Sequence, residues 1–444
     1  MSAGFGQNYT ISTVAGAGWD IPGLSANLSN LEGLAVDSTG NVFMTLATYS
    51  VVVRLDTSGQ LSLVAGNGIT GFSGDGGPAT LAQLSGPSAV AVDASGNVYI
   101  EDAGNNRIRM VSNGVITTVA GGGMGDDGPA TDAHLNFQFV PPDLALDRAG
   151  NVYFADYSNL YRIRKLSNGI ISTVAGGGYL DADNAAATST FIAPQGIAID
   201  SSGNIYFSDL CSGRIRKVFN GTITTVAGNG ELNPFACAAA VSGPATGKAT
   251  SVGLDNPRAV AVDAAGNIYF TEGGAGPFRV RKVSSGNIST VAGGNTGLPG
   301  PPVVADNIPA TSATLELFVF NTIAVDAAGN LYIPDEYWEV VPPGGYYSGD
   351  IEGSNNFGRL RKVSNGVITT VAGSGTDGGP AATAQLNLPA GVAVDGAGNL
   401  YIGDSSNSVL RAVSHGTIGT IAGSRVPGGC DCDTGQAAGD EPGA

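Results

Sequence analysis

The sequence predicts an all-β fold: a seven-bladed β-propeller of four-stranded antiparallel blades, with an N-terminal strand closing the ring. Three observations lead there. A short apolar strand ending in Asp, two small residues, Gly-Asn and a second apolar strand recur at Asp37, Asp93, Asp147, Asp200, Asp263, Asp326 and Asp395. The spacings between these Asp residues are 56, 54, 53, 63, 63 and 69 residues, the length of one four-stranded propeller blade with its connections. The composition is turn-rich and poor in charge, with 69 Gly and 22 Pro among 444 residues and 13% charged residues, which excludes a coiled coil.

Each element of the repeat has a local reason. In the Asp turn the carboxylate can accept backbone N–H groups, and the Gly supplies a positive φ. The strand that follows is aromatic-rich, as in Asn97-Val-Tyr-Ile and Asn204-Ile-Tyr-Phe. A third strand reads Arg-Ile-Arg-Lys or similar, with Ile108, Ile163, Ile215, Val280 and Leu360 on one face. A Ser-Asn-Gly turn at Asn113, Asn168, Asn220 and Asn365 signals a tight hairpin. The fourth strand reads Ile-Thr-Thr-Val-Ala-Gly. This motif occurs eight times against seven Asp turns, so the surplus Thr10–Ala15 strand is expected to join the last blade and protect an edge. Either it or Thr417–Ala422 is then outermost.

These motifs resemble the NHL-repeat family over about residues 10 to 424. The matching stretches are the first strands ending in Val-Asp or Ile-Asp, the Gly-Asn-Ile-Tyr-Phe second strands and the Asn-Arg-Ile-Arg third strands. The resemblance is to the bacterial, long-loop type, with linkers such as Gly74-Asp-Gly-Gly-Pro-Ala-Thr. It implies a β-propeller and no single function, since members include binding modules, sensor ectodomains and a few lyases. The domain expected is 1–424, with blades starting near 33, 89, 143, 196, 259, 322 and 391. Residues 425–444, which carry Cys430 and Cys432, read as a flexible tail or linker.

Charge and composition narrow the function. The balance of 20 basic to 37 acidic residues, net −17, disfavours nucleic-acid and anionic-membrane partners. No apolar run is long enough for a membrane helix. The N-terminus has no basic start with an apolar core. Few Lys and many Gly, Ser, Thr and Asn favour an exported protein, secreted, periplasmic or on the cell surface, with its signal peptide already removed. Four Cys are too few for a disulfide scaffold. Cys211 and Cys237 fall on one face of the ring and form a plausible pair.

In a meander blade the two tight turns share one face, and the second-to-third loops and linkers share the other. Function is expected on that long-loop face. Blade six has a long loop there from Asp335 to Phe357, carrying Tyr337, Trp338, Tyr346 and Tyr347. These aromatics offer rigid contact area for a glycan or peptide, or a self-packed cover. The entries to the first strands break the repeat: Glu32, Ser88, Pro142 followed by Asp143, Gln195, Arg258, Asn321 and Ala390. Gln195 and Arg258 are candidate ligand-binding residues, and Glu32, Asp143 and Asn321 candidate ligands for Ca2+. The set is similar to the acid-and-amide calcium site of lactonase-type propellers, without a matching motif. The alternative is a polar, solvated channel.

Other charges repeat and therefore read as frame. The second strand ends in an acid in six blades: Asp102, Asp156, Asp209, Glu272, Asp335 and Asp404. Five of these face an Arg: Arg107, Arg162, Arg214, Arg279 and Arg359. That pattern predicts an ion pair closing each hairpin. Blade one has Leu46 and Val52 there, and Asp404 faces Val409, which leaves Asp404 a candidate base. A second Arg is expected in every blade: Arg54, Arg109, Arg164, Arg216, Arg281, Arg361 and Arg411. The linker acids Asp75, Asp126, Asp127 and Asp377 read as turn stabilisers. Of the two His, His415 is a turn residue, and His134 is the other candidate base. With no His or Cys cluster, zinc and copper are disfavoured, as are amidating-lyase chemistries that use several His ligands.

The leading expectation is a non-catalytic binding propeller recognising a glycan, peptide or partner protein. The alternatives are a metal-dependent lactonase-like hydrolase or lyase, with His134 or Asp404 as base, and a structural assembly protein.

Overall fold

The computed structural model describes residues 31–57, 61–125, 128–137, 143–158, 161–230, 243–273, 278–294, 306–315, 322–326, 328–338, 356–372, 386, 389–395, 398–404, 409–414 and 417–422. The seven-bladed β-propeller predicted from the repeat is observed. Seven small antiparallel sheets each run as a meander from an inner first strand to an outer fourth. Blade two shows the plan, with strands Pro87–Val92, Val98–Asp102, Arg107–Ser112 and Val115–Ala120.

The linkers do more than connect. In blades three to six the arriving linker adds a short fifth strand at the outer edge: Gly128–Pro129, Ala185–Ala186, Thr246–Lys248 and Ile308–Pro309. A 3-10 turn then follows, with a buried Ala130, Ala187, Ala249 or Ala310, before the chain re-enters the ring. The extra strand covers an edge that would otherwise offer unpaired N–H and C=O groups.

The Asp turn works as its residues predict. In blade four, Asp200 Oδ1 accepts the N–H groups of Ser202 and Asn204, both at 2.9 Å. Its Oδ2 accepts Asn204 Nδ2 at 2.6 Å and the Tyr206 hydroxyl at 3.2 Å. Gly203 has φ +80°, a conformation that penalises any Cβ.

Apolar cores lie between successive blades. The last packs Val42, Met44, Val51 and Val53 of blade one against Leu410 and Ala422 of blade seven, so the ring closes through side-chain packing. Thr417–Ala422 is the fourth strand of blade seven, paired to Val409–Ser414. The expected closing strand at Thr10–Ala15 lies outside the described residues, as do Cys430 and Cys432.

The charge ladder differs from its predicted form. Register does set Asp102 opposite Arg107 and Asp209 opposite Arg214. Yet each acid also reaches diagonally to the second Arg, which shares its face and is buried. The distances are 3.5 Å to Arg109, 4.0 Å to Arg164, 3.9 Å to Arg216, 2.7 Å to Arg281, 3.6 Å to Arg361 and 3.1 Å to Arg411. Glu272 and Asp335 also meet the opposed Arg279 and Arg359, at 3.5 and 3.1 Å. Asp404 therefore has a partner in Arg411, against expectation, and is fully buried. Blade one departs entirely. Val51 faces Leu46, Val53 faces Met44, and Arg54 faces Phe43. Arg54 is thus one residue out of the Arg series, which runs through six blades. From outside, linker acids clasp the same Arg residues: Asp75 on Arg109 at 2.8 Å and Asp183 on Arg216 at 3.1 Å.

Candidate functional site

The long-loop end of the inner strands carries the candidate site, because there the repeat breaks. The residue just before the strand-two acid, or before Leu46 in blade one, is Thr45, Glu101, Ala155, Ser208, Thr271, Pro334 or Gly403. Where it is a hydroxyl it stitches strands together. Thr45 Oγ1 accepts Gly33 N–H at 2.7 Å and donates to the Ser88 carbonyl of the next blade at 3.2 Å. Ser208 repeats this between Gly196 at 3.0 Å and the Arg258 carbonyl at 2.5 Å. The first strands of blades one and four are irregular at this point, between Leu31 and Leu34 and between Pro194 and Ile197, which leaves an N–H for the hydroxyl to satisfy.

Blade two puts a carboxylate in that place. Glu101 is 2% exposed, and its Oε1 accepts the Ser88 hydroxyl at 2.7 Å. Burial pushes its pKa up to about 8; the Ser88 hydrogen bond opposes this, and the charges of Asp143 and Glu32 add to it. Asp143 occupies the position of Gly196 in its own blade, and its Oδ2 accepts Ile197 N–H of the next blade at 2.7 Å. Burial raises Asp143 to about 7 against that single hydrogen bond. Glu32, Glu101 and Asp143 thus form one acidic group on blades one to three.

The neighbouring sector is aromatic, then basic. The Tyr157 hydroxyl donates to the Pro194 carbonyl and accepts Gln195 Nε2 at 2.9 Å. Burial raises its pKa well above the ordinary tyrosine value. Tyr157 packs on Tyr161 at 4.6 Å between ring centroids, and Tyr161 on Phe191 at 6.0 Å. Arg258 on blade five is half-buried. Burial lowers its pKa, with Asp255 opposing.

The mouth therefore brings together Glu32, Asp143, Gln195 and Arg258 from the predicted set, with Glu101, Ser88 and Tyr157 beside them. Glu101 and Tyr157 escaped the sequence reading. The signal for Glu101 was present, since an acid stands where three other blades have Thr or Ser. Asn321 lies outside the described residues. Among the described residues no group of three or more His, Cys, Asp and Glu side chains could hold a metal ion.

The other candidates lie apart. His134 is exposed in the linker before blade three, its N–H bonded to the Gly125 carbonyl. Asp404 is consumed by Arg411. In blade six the second strand runs through Tyr337 and Trp338, which pair with Phe357 and Asn356. The aromatic stretch expected as loop therefore begins as an extended hairpin. Tyr346 and Tyr347 lie outside the described residues. Cys211 is disulfide-bonded; Cys237 lies outside the described residues.

Fold and site define a class: a seven-bladed β-propeller whose symmetry is broken at its axial mouth. Within that class, the chain carries the NHL repeat, whose family model matches residues 84–109. Human teneurin-4 is 32% identical over 130 residues, covering 24% of this chain and 5% of that protein. Teneurin-3 of Danio rerio is 29% identical over 230 residues, covering 49% of this chain and 8% of its own length. The chain spans less than a tenth of these curated relatives. Virginiamycin B lyase from Staphylococcus aureus is a structural neighbour with TM-score 0.48 and 13% identity, covering 86% of this chain and 93% of that one. Among the described residues no helix is long and apolar enough to cross a membrane.

Proposed function

We propose that the chain is a non-catalytic binding propeller that takes a glycan, peptide or partner protein at the mouth of its long-loop face. The observation that carries this reading is Glu101: a buried acid beside Asp143 and Glu32, at a position where Thr45 and Ser208 only stitch strands. A repeat that departs from its own structural solution and accepts a desolvation penalty does so for something other than the frame. Tyr157, Gln195 and Arg258 supply donors and apolar surface on the neighbouring blades. The disulfide at Cys211 supports an oxidising compartment, secreted, periplasmic or cell-surface.

The test is a glycan and peptide array probed with the chain and with a Glu32→Gln/Asp143→Asn variant. Signals lost in the variant, with its melting temperature kept, support the mouth. Identical array profiles for the two proteins would remove it.

A second reading has its own observation. Two neighbouring carboxyls that titrate near neutrality suit general acid–base work, as a lactonase-like hydrolase or a lyase requires. Metal analysis by mass spectrometry on protein purified without chelator separates the two. Stoichiometric Ca2+ that is lost in Glu32→Gln favours the enzyme.

A further inference from the structure

The mouth continues outward into a second break in the repeat. Resting on the binding reading above, we propose that the groove from Glu101 to Tyr161, over blades two to four, binds a neutral sugar ring of a glycan. The ring face packs on Tyr161, and the hydroxyls bond to Glu101, Asp143 and Gln195.

The apolar half of the groove is made by loops that differ from their counterparts. Tyr157 follows the strand-two acid of blade three, Tyr161 precedes Arg162, and Phe191 lies in the linker to blade four, just after its 3-10 turn. At the first place blades two and four have Ala103 and Leu210, and at the second Asn106 and Gly213. At the third, the linkers before blades two, three and five have Gln83, His134 and Gly253. Blade five keeps one ring, Phe278, and only blade three with its linker has all three. These rings are fixed in place. Tyr161 packs on Tyr157 at 4.6 Å and on Phe191 at 6.0 Å between centroids. Phe191 N–H donates to the Leu180 carbonyl at 2.9 Å, and Gly177 N–H to the Tyr161 carbonyl at 3.2 Å. Tyr161 is nevertheless 39% exposed. A tyrosine held by two rings and still open to solvent offers apolar contact area at little entropic cost.

The polar half has hydrogen-bonding capacity to spare. Glu101 spends one oxygen on the Ser88 hydroxyl, and Asp143 one on Ile197 N–H. The second oxygen of each receives no hydrogen bond from the described residues. Glu101 is 2% exposed, so an oxygen left over there is a cost that the frame does not recover. Gln195 gives one N–H to the Tyr157 hydroxyl at 2.9 Å and keeps its carbonyl and its other N–H. The two halves are continuous. The charge of Asp143 acts on Glu101, Asp143 bonds to blade four two residues from Gln195, and Gln195 holds the tyrosine on which Tyr161 packs.

Charge does not choose the occupant. Glu32 borders one end of the groove, and Arg162, laid against the linker at Gly177, borders the other. Burial holds Glu101 and Asp143 toward their uncharged forms. A primary amide and a protonated carboxyl each present a donor and an acceptor side by side, which suits neighbouring hydroxyls that are themselves both. An aromatic face beside such groups selects a ligand with apolar C–H surface and many hydroxyls, and a neutral pyranose has both.

The experiment probes printed arrays of peptides and of neutral, sialylated, uronic-acid-containing and sulfated oligosaccharides with the full chain at neutral pH. Leading glycans are titrated calorimetrically against wild type, Tyr161→Ala, Tyr161→Phe and Gln195→Leu, with a melting curve for each protein. The expected result is binding of neutral glycans, with affinity lower by about tenfold or more in Tyr161→Ala and Gln195→Leu and within about threefold of wild type in Tyr161→Phe, which keeps the ring. Glycans bound equally by wild type and Tyr161→Ala, yet lost in Glu32→Gln/Asp143→Asn, would overturn the stacking groove and leave the mouth reading standing. Peptides bound in place of glycans, and lost in that same variant, would overturn the ligand class and also leave the mouth standing. Selection of acidic or sulfated glycans alone would overturn the neutral ligand. No signal on either array, or signals that no variant changes, would overturn both readings.

Discussion

The Asp turns on one face and the acidic mouth on the other use the same functional group and perturb it in opposite directions. At Asp37, Asp147, Asp200, Asp263 and Asp326 burial pulls the carboxyl pKa up, but hydrogen bonds from the turn outweigh it and the value falls below normal. At Glu101 and Asp143 burial is greater, one hydrogen bond opposes it in each, and the pKa rises to about 8 and about 7. Exposure decides the sign: in the partly exposed turns the donors win, whereas at the deeply buried Asp156 and Asp209 burial keeps the pKa raised despite several donors. A turn that surrounds its carboxylate with donors stabilises the fold.

The strand-two acids are a third case, buried like Glu101 but provided with a full charge partner. Breaking one such pair has the largest expected effect. Arg281→Val leaves Glu272 buried without the guanidinium that sits 2.7 Å away and costs about 3–5 kcal/mol in chemical denaturation. Blade one shows the remedy, since it fills the same places with Leu46, Val51 and Val53. Adding Glu272→Leu and Arg279→Val, which also removes the second Arg on Glu272, to Arg281→Val is expected to recover most of the loss. A triple variant as unstable as the single one would show that the cluster does more than satisfy itself.

Asp200→Ala tests the turn. It removes the acceptor of two backbone N–H groups, Asn204 and Tyr206, and is expected to cost about 3 kcal/mol at pH 7. The pH dependence has a definite sign. A depressed folded pKa gives stability that is present above the unfolded pKa and lost as pH falls through the folded one. The gap between wild type and variant should therefore close only below about pH 4. A gap that closed between pH 6 and 8 would contradict the turn's chemistry.

Glu101→Gln tests the mouth and should act with the opposite sign. A carboxyl whose folded pKa is raised contributes stability below its unfolded pKa, and that contribution is lost as pH climbs toward the folded value of about 8. Gln keeps the Ser88 hydrogen bond without the charge. The variant should melt a few degrees above wild type at pH 9 and alike at pH 5, by scanning fluorimetry. A lower melting temperature at pH 9 would mean that the ionised Glu101 is held by a partner the frame provides.

The frame was legible because it repeats. Seven copies of one turn, with Gly at a positive φ and Asn four residues after Asp, leave few alternatives. The mouth was legible only in part. Comparing first-strand entries exposed Glu32, Asp143, Gln195 and Arg258, but Glu101 lies on the second strand and reaches this site only through the register that pairs Pro87 with Asp102. The diagonal contact of Asp102 with Arg109 was missed for a related reason, since opposition along a ladder is easier to read than the reach of a long side chain. Arg54 misled because blade one has apolar Val51 and Val53 at both Arg positions, so the next Arg in sequence stood in for them.

The smallest effect is the sharpest test of the turn, because the molecule already contains the variant. In blade four the Tyr206 hydroxyl donates to Asp200, and burial together with that carboxylate's charge raises its pKa to about 12. In blade one the same position is Phe43, and the Thr39 hydroxyl donates to Asp37 at 2.8 Å in its place, so Asp37 keeps four donors and its lowered pKa. The tyrosine donor is therefore replaceable. Tyr206→Phe should cost about 1 kcal/mol in chemical denaturation and leave the Asp200 pKa, followed by NMR titration, still below its ordinary value. A loss comparable to Asp200→Ala would mean that the tyrosine, and not the two backbone N–H groups, carries the turn.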